Sequence, residues 1–174
     1  MSTHLILGGA RSGKSIYAEN LAKQSNLPVT YIATALIYDD EFRTRVQHHQ
    51  DRRPVDWLVV EASFNLSNIL NLYAKPNQCL IVDCLTLWLA QCICPDCAPM
   101  EGVDWMYERN ALLSVLPQLA GTIIFVSNEV GMGIVPLGKI NRQFQDEQGR
   151  LNQAVAQIVS EVSFIAAGLP IKLK

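Results

Sequence analysis

A chain of 174 residues, 49% of them hydrophobic and 17% charged, can carry a full sheet covered by helices and is too apolar to be disordered. Its net charge of −2 and the absence of a basic run give no footing for a DNA or RNA groove. The N-terminus, Met-Ser-Thr-His-Leu-Ile-Leu, has no charged segment ahead of an apolar one. No apolar stretch nears the roughly 18 residues of a membrane span, so a cytoplasmic location is expected.

Short β-rich runs alternate with helical patterns, which predicts an α/β fold with a mainly parallel sheet. The first strand is expected at Leu5–Leu7 and the first helix at Gly13–Gln24. Between them, Gly8-Gly9-Ala10-Arg11-Ser12-Gly13-Lys14-Ser15 fits G-x-x-x-x-G-K-[ST] without a mismatch. Strand, glycine-rich loop and helix in that order make a P-loop. Glycines reach positive φ and bring backbone N–H groups against phosphate oxygens, and the helix N-terminus adds a favourable dipole. Lys14 is expected to bridge the β- and γ-phosphates, and the Ser15 hydroxyl to ligate Mg²⁺.

A second strand is expected at Val29–Ala33 and a helix over Asp39–Gln50. Helical spacing separates the two histidines of that segment. Phe42, Val46 and His49 share an apolar stripe, whereas Glu41, Arg45, His48 and Arg52 share a polar one. His49 therefore reads as a histidine at the edge of the core. His48 lies beside two guanidinium groups able to clamp phosphate oxygens. A neutral imidazole there is either a nucleophile toward phosphorus or a surface histidine.

The next strand, Trp57–Glu61, ends on a carboxylate, and a helix is expected at Leu66–Tyr73. The strand Leu80–Asp83 is an apolar run that also ends on a carboxylate, the Walker B pattern. Asp83 is accordingly the expected metal-side acid, with an Asp opening a turn as the plain alternative. Helices are expected at Leu85–Cys92 and Val103–Leu116, with a loop over Cys92–Gly102 between them.

The five cysteines, Cys79, Cys84, Cys92, Cys94 and Cys97, read as thiols. Cys79 and Cys84 suit small core positions. Cys92, Cys94 and Cys97 would bind Zn²⁺ only with a fourth ligand from elsewhere, and their spacing is not the paired C-x-x-C of a structural site.

The strand Thr122–Ser127 contains Ile123-Ile124-Phe125-Val126, an apolar run typical of a strand buried on both faces. Glu129 follows it, a candidate rim acid like Glu61. A helix over Lys139–Val159 places Ile140, Phe144, Leu151, Val155 and Ile158 on one face. A strand at Phe164–Ala167 and a turn at Gly168-Leu169-Pro170 predict a closing hairpin, with Ile171–Leu173 antiparallel.

Several blocks in this order resemble the bifunctional adenosylcobinamide kinase / adenosylcobinamide-phosphate guanylyltransferase family of cobalamin synthesis. They are the Gly8–Ser15 loop, Tyr31-Ile32-Ala33-Thr34, and Arg45-Val46-Gln47-His48-His49-Gln50-Asp51-Arg52-Arg53-Pro54. Asn128-Glu129-Val130-Gly131-Met132-Gly133-Ile134-Val135-Pro136 and Gly149-Arg150-Leu151-Asn152-Gln153 complete the set. The resemblance spans nearly the whole chain, and the Asn128–Pro136 run is its most specific part. The Cys-rich stretch Leu85–Gly102 departs from the family pattern.

The resemblance implies a RecA-like P-loop NTPase fold, with residues 1–174 as one kinase/guanylyltransferase domain. It implies phosphorylation of adenosylcobinamide by ATP or GTP. It further implies transfer of GMP from GTP, through a guanylyl-histidine on His48, to adenosylcobinamide phosphate. It places nucleotide contacts on Gly8–Ser15, on Thr34, on Asp51, Arg52 and Arg53, and on Glu61 and Asp83, and it suggests a homotrimer. Two other functions stay open at this point. One is a kinase-only enzyme acting on a small-molecule hydroxyl. The other is a RecA-like, nucleotide-driven interaction module.

Overall fold

Alternation along the strands builds this molecule. A computed structural model describes residues 2–35, 40, 47, 53–94 and 103–174. Seven strands form one sheet: β1 (Ser2–Gly8), β2 (Val29–Ala33), β3 (Leu58–Glu61), β4 (Cys79–Asp83), β5 (Thr122–Asn128), β6 (Glu161–Ala166) and β7 (Leu169–Lys172). Their order across the sheet is β3-β2-β4-β5-β1-β6-β7. Every pairing is parallel except β6 with β7, which is antiparallel. The expected parallel sheet and closing hairpin are both present.

Successive side chains on a strand point to opposite faces, and here both faces are apolar. On one face Leu5, Leu7, Leu80, Val82, Ile123 and Phe125 belong to a large core. On the other, Ile6, Tyr31, Ile81, Ile124 and Val126 belong to a smaller one. Covering both faces explains why these runs look continuously hydrophobic.

Helix α1 (Lys14–Gln24) covers the smaller core through Ala18 and Ala22. The larger core is covered by α2 (Leu66–Tyr73), α3 (Leu85–Ile93), α4 (Trp105–Val115) and α5 (Lys139–Ile158). Helix α4 is capped by Asp104, whose side chain accepts from the Met106 and Tyr107 N–H groups and so satisfies two orphan donors. A short 3₁₀ turn, Leu116–Gln118, ends that segment at a proline.

Two expectations need correction. Strand β3 begins at Leu58 rather than Trp57, and Leu58 and Val59 are half exposed, because β3 is an edge strand with one neighbour. Helix α5 buries Leu151 and Val155 and packs Phe144 against the core, but Ile140 and Ile158 are exposed. The stripe is real; the helix outruns the layer beneath it at both ends.

Asp40 and Gln47 are helical and exposed. The rest of the helix expected over Asp39–Gln50 lies outside the described residues, as does most of the Cys92–Gly102 loop, Cys97 included. Cys92 belongs to α3, as the expected helix Leu85–Cys92 has it, and Cys79, Cys84 and Cys92 are buried. Burial pushes the Cys79 thiol up to about 11 and those of Cys84 and Cys92 to about 12. They stay protonated near neutral pH.

Candidate active site

The parallel strands end together on one edge, and that edge is where open α/β sheets gather ligands. The Gly8–Ser15 loop leaves β1 there. Gly8 and Gly13 have φ of 153° and 101°, in the region that favours glycine, and Arg11 joins them at 57°. A Cβ on Gly8 would collide with the Ile165 carbonyl and sit 2.8 Å from Ser12 Oγ.

Lys14 opens α1 and is buried, with Nζ donating to the Gly9 carbonyl at 2.6 Å. Burial lowers its pKa, while Cys84 and Asp83 pull it back up, so Lys14 lies in the field of the β4 acid. The Ser12 hydroxyl is buried and has no hydrogen-bond partner among the described residues. A concave loop holding an ammonium group and an unsatisfied hydroxyl is chemically suited to a polyphosphate.

Beside the loop stands the end of β5. Asn128 is in register with Gly8, and the Glu129 N–H donates to the Gly8 carbonyl at 3.0 Å. Helix α5 locks this end in place. Asn152 donates to the Asn128 carbonyl at 3.1 Å and accepts from Ser127 Oγ at 2.7 Å and from Gln148 Nε2 at 3.0 Å. Thr86 of α3 accepts the Asn128 N–H at 2.8 Å. The Glu129 carboxylate is turned to its own backbone, accepting from the Gly131 N–H at 2.7 Å.

Asp83 ends β4, one strand removed from β1, roughly 10 Å across the sheet. Its Oδ2 accepts the Tyr31 hydroxyl at 2.7 Å. The Arg53 guanidinium stacks on the same tyrosine, 3.8 Å from the ring centre. Burial, and then Asp83, raise the Tyr31 pKa well above its ordinary value, so the phenol remains a proton donor. Arg53 Nε is buried without a hydrogen-bond partner among the described residues.

Thr34 follows β2 and is fully buried. Its hydroxyl donates to the Cys84 carbonyl and accepts the Cys84 N–H, both at 2.7 Å, and Gln91 donates to its carbonyl. Thr34 thus ties the ends of β2 and β4 together.

The rim therefore assembles Gly8, Gly9, Ala10, Arg11, Ser12, Gly13, Lys14 and Ser15 with Thr34, Arg53 and Asp83. Glu61 stands at the β3 end of the same edge, paired with Ala33 next to Thr34. It ends the edge strand, exposed, with three strands between it and β1, about 19 Å away. His48, Asp51 and Arg52 lie outside the described residues, as do Arg45 and His49.

Outside the resemblance block that contains it, Tyr31 carries no signal as a single residue. Tyr31 pairs with Ile81, so it lies diagonally behind Asp83 across the register, a signal visible only once β2 is placed against β4. The Ser127–Gln148–Asn152 contacts are equally silent in the sequence, because amides in an amphipathic helix look like ordinary surface residues.

Sheet order, phosphate loop and acid together define a P-loop nucleotide-binding fold. A family model described as cobinamide kinase / cobinamide phosphate guanyltransferase matches residues 4–173. The chain belongs to that family. It is 49% identical to the bifunctional adenosylcobalamin biosynthesis protein CobP of Pseudomonas aeruginosa, over 98% of this chain and 96% of that protein. It is 35% identical to the bifunctional adenosylcobalamin biosynthesis protein CobU of Escherichia coli and 34% identical to that of Salmonella typhimurium, over 98% of each chain. The enzyme class is that of a kinase and nucleotidyltransferase of cobalamin synthesis, as the family resemblance implied.

Proposed function

We propose that residues 1–174 act as a single domain that phosphorylates adenosylcobinamide with ATP or GTP and then transfers GMP from GTP to the phosphorylated product. The observation that carries this reading is the phosphate loop itself, with buried Lys14 in the field of Asp83 at the shared strand edge. The full-length likeness to proteins named as bifunctional supports two activities on this one site.

In the kinase step the Gly8–Ser15 backbone holds the triphosphate, and Lys14 offsets charge on the β- and γ-oxygens. The substrate hydroxyl displaces the γ-phosphoryl group. In the second reaction, neutral His48 attacks the α-phosphorus of GTP. A P–N bond forms, the bond to the bridging oxygen breaks, and pyrophosphate departs. The imidazole proton passes to solvent. A phosphate oxygen of adenosylcobinamide phosphate then attacks the same phosphorus and frees His48, giving adenosylcobinamide-GDP.

The Ser15 hydroxyl and the Asp83 carboxylate are hard oxygen donors suited to Mg²⁺, and would hold it together with a nucleotide's phosphates and water. Bound there, Mg²⁺ would neutralise charge on the phosphoryl oxygens. Arg53, with an unsatisfied buried Nε, is the described member of the Asp51–Arg53 group suited to hold a phosphate oxygen. Thr34 and Glu61 would flank the nucleotide from β2 and β3.

A homotrimer is part of this reading. Its support is the exposed apolar loop after β5, where Met132, Ile134, Val135 and Leu137 are 80%, 97%, 64% and 97% exposed. Sedimentation equilibrium should give three chains per particle; a monomer at micromolar concentration would exclude this arrangement. A cytoplasmic location belongs to the same proposal; no described helix is long and apolar enough to cross a membrane.

The test is product analysis with separate substrates. Adenosylcobinamide with ATP or GTP should give the phosphate ester. Adenosylcobinamide phosphate with GTP should give adenosylcobinamide-GDP and pyrophosphate. The first without the second would establish the kinase-only enzyme, and neither would refute the assignment.

A further inference from the structure

Tyr31 is 2% exposed, and it does two things at once. Its hydroxyl holds Oδ2 of Asp83 at 2.7 Å, and its ring carries the Arg53 guanidinium at 3.8 Å. The first contact spans the strand pair β2–β4. The second joins that pair to the segment that follows the two histidines.

A carboxylate at a strand end turns freely about its last torsion, which has only a broad two-fold preference. A single hydrogen bond to one oxygen stops that rotation and fixes the direction of the other oxygen's lone pairs. The donor here is a neutral phenol. It orients the carboxylate without cancelling the charge a cation needs, as an arginine or lysine in its place would do. The tyrosine itself cannot swing away, because its ring is packed in the core with Ile81 and Trp57.

We propose that Tyr31 is a positioning residue for the nucleotide–metal site, aiming the Asp83 carboxylate and holding Arg53 in line with it. This rests on the reading of Asp83 as the metal-side acid. Asp83 and Arg53 are both anchored to this one buried side chain. With 2% exposure, Tyr31 acts through Asp83 and Arg53, the two groups its side chain holds.

The test compares the wild type with Tyr31→Phe and Asp83→Asn. Manganese binding to the complex with a non-hydrolysable GTP analogue is followed by electron paramagnetic resonance. Nucleotide affinity is measured separately without metal. Tyr31→Phe removes one oxygen atom and keeps the ring under Arg53. It should weaken Mn²⁺ binding on the order of tenfold, the scale of one hydrogen bond to a charged group, and leave metal-free nucleotide affinity unchanged. The unchanged affinity also shows that the variant's site is folded. Weakened Mn²⁺ binding in Asp83→Asn with none in Tyr31→Phe would overturn the role of Tyr31 and leave the acid's role standing. Unaltered Mn²⁺ binding in both variants would overturn the metal reading of Asp83 and this inference with it. An equal loss of metal-free nucleotide affinity in Tyr31→Phe would show a general packing role and overturn the inference as well.

Discussion

The backbone N–H of Gly168 donates to the Ser12 carbonyl at 2.8 Å, so the turn between the last two strands braces the phosphate loop from behind. Gly13 meets the same turn: a Cβ on it would lie 3.1 Å from the Gly168 Cα. The loop's shape therefore depends on residues at the far end of the chain.

Gly8→Ala tests that dependence. The added methyl would meet the Ile165 carbonyl, at a φ that L-residues avoid. The backbone conformation alone costs about 1–3 kcal/mol, and the collision adds to it. A lowered urea midpoint together with lost nucleotide binding is expected; wild-type values for both would show that the loop is not braced in this way.

Lys14→Ala should abolish both transferase activities, since each needs the triphosphate held. A charge-assisted hydrogen bond is worth about 1.5–3 kcal/mol, so nucleotide affinity should fall roughly ten- to a hundredfold and turnover further. Near-wild-type rates in both assays would remove the P-loop from the mechanism.

Asn152→Leu should destabilise the protein by about 1–3 kcal/mol, because Ser127, Gln148 and the Asn128 carbonyl all lose a buried partner. Chemical denaturation with an unchanged slope is the measurement. A stability equal to the wild type would mean that water replaces the amide.

The buried His4 predicts a pH dependence. Its ring nitrogen lies 2.9 Å from Ser163 Oγ. Burial lowers its pKa below the ordinary 6.5, against an opposing pull from Glu161 and with help from Lys172. The unfolded chain then binds the proton more readily, so stability is fully present above about 6.5. It declines as pH falls from there through the folded-state value. His4→Gln should flatten the urea-midpoint profile between pH 7 and pH 5; an unaltered profile would place the dependence elsewhere.

The phosphate loop and Asp83 were legible because both are local signals: a motif of contiguous residues, and an acid closing an apolar strand. The core strands were legible for the same reason, as continuous apolar runs. The exposure of β3 was not, because edge and centre differ only in the number of neighbours, which sheet order decides. Ile140 and Ile158 show the matching limit for helices. Periodicity assigns a face but not how far the core extends beneath it. Tyr31, Thr34 and Asn152 act across strands and layers, and their partners come from positions far away in the chain.

The most direct measurement of the central claim is covalent labelling. Wild-type protein, His48→Asn and His49→Asn are incubated with Mg²⁺ and GTP labelled at the α-phosphorus, then denatured. A phosphoramidate survives base and breaks in acid, whereas a serine or threonine ester does not show that pattern. The account predicts acid-labile, base-stable label on the wild type and on His49→Asn. His48→Asn should carry none, while its kinase step, which needs no covalent histidine, persists. Label retained by His48→Asn and lost in His49→Asn, or no label on the wild type, would contradict it.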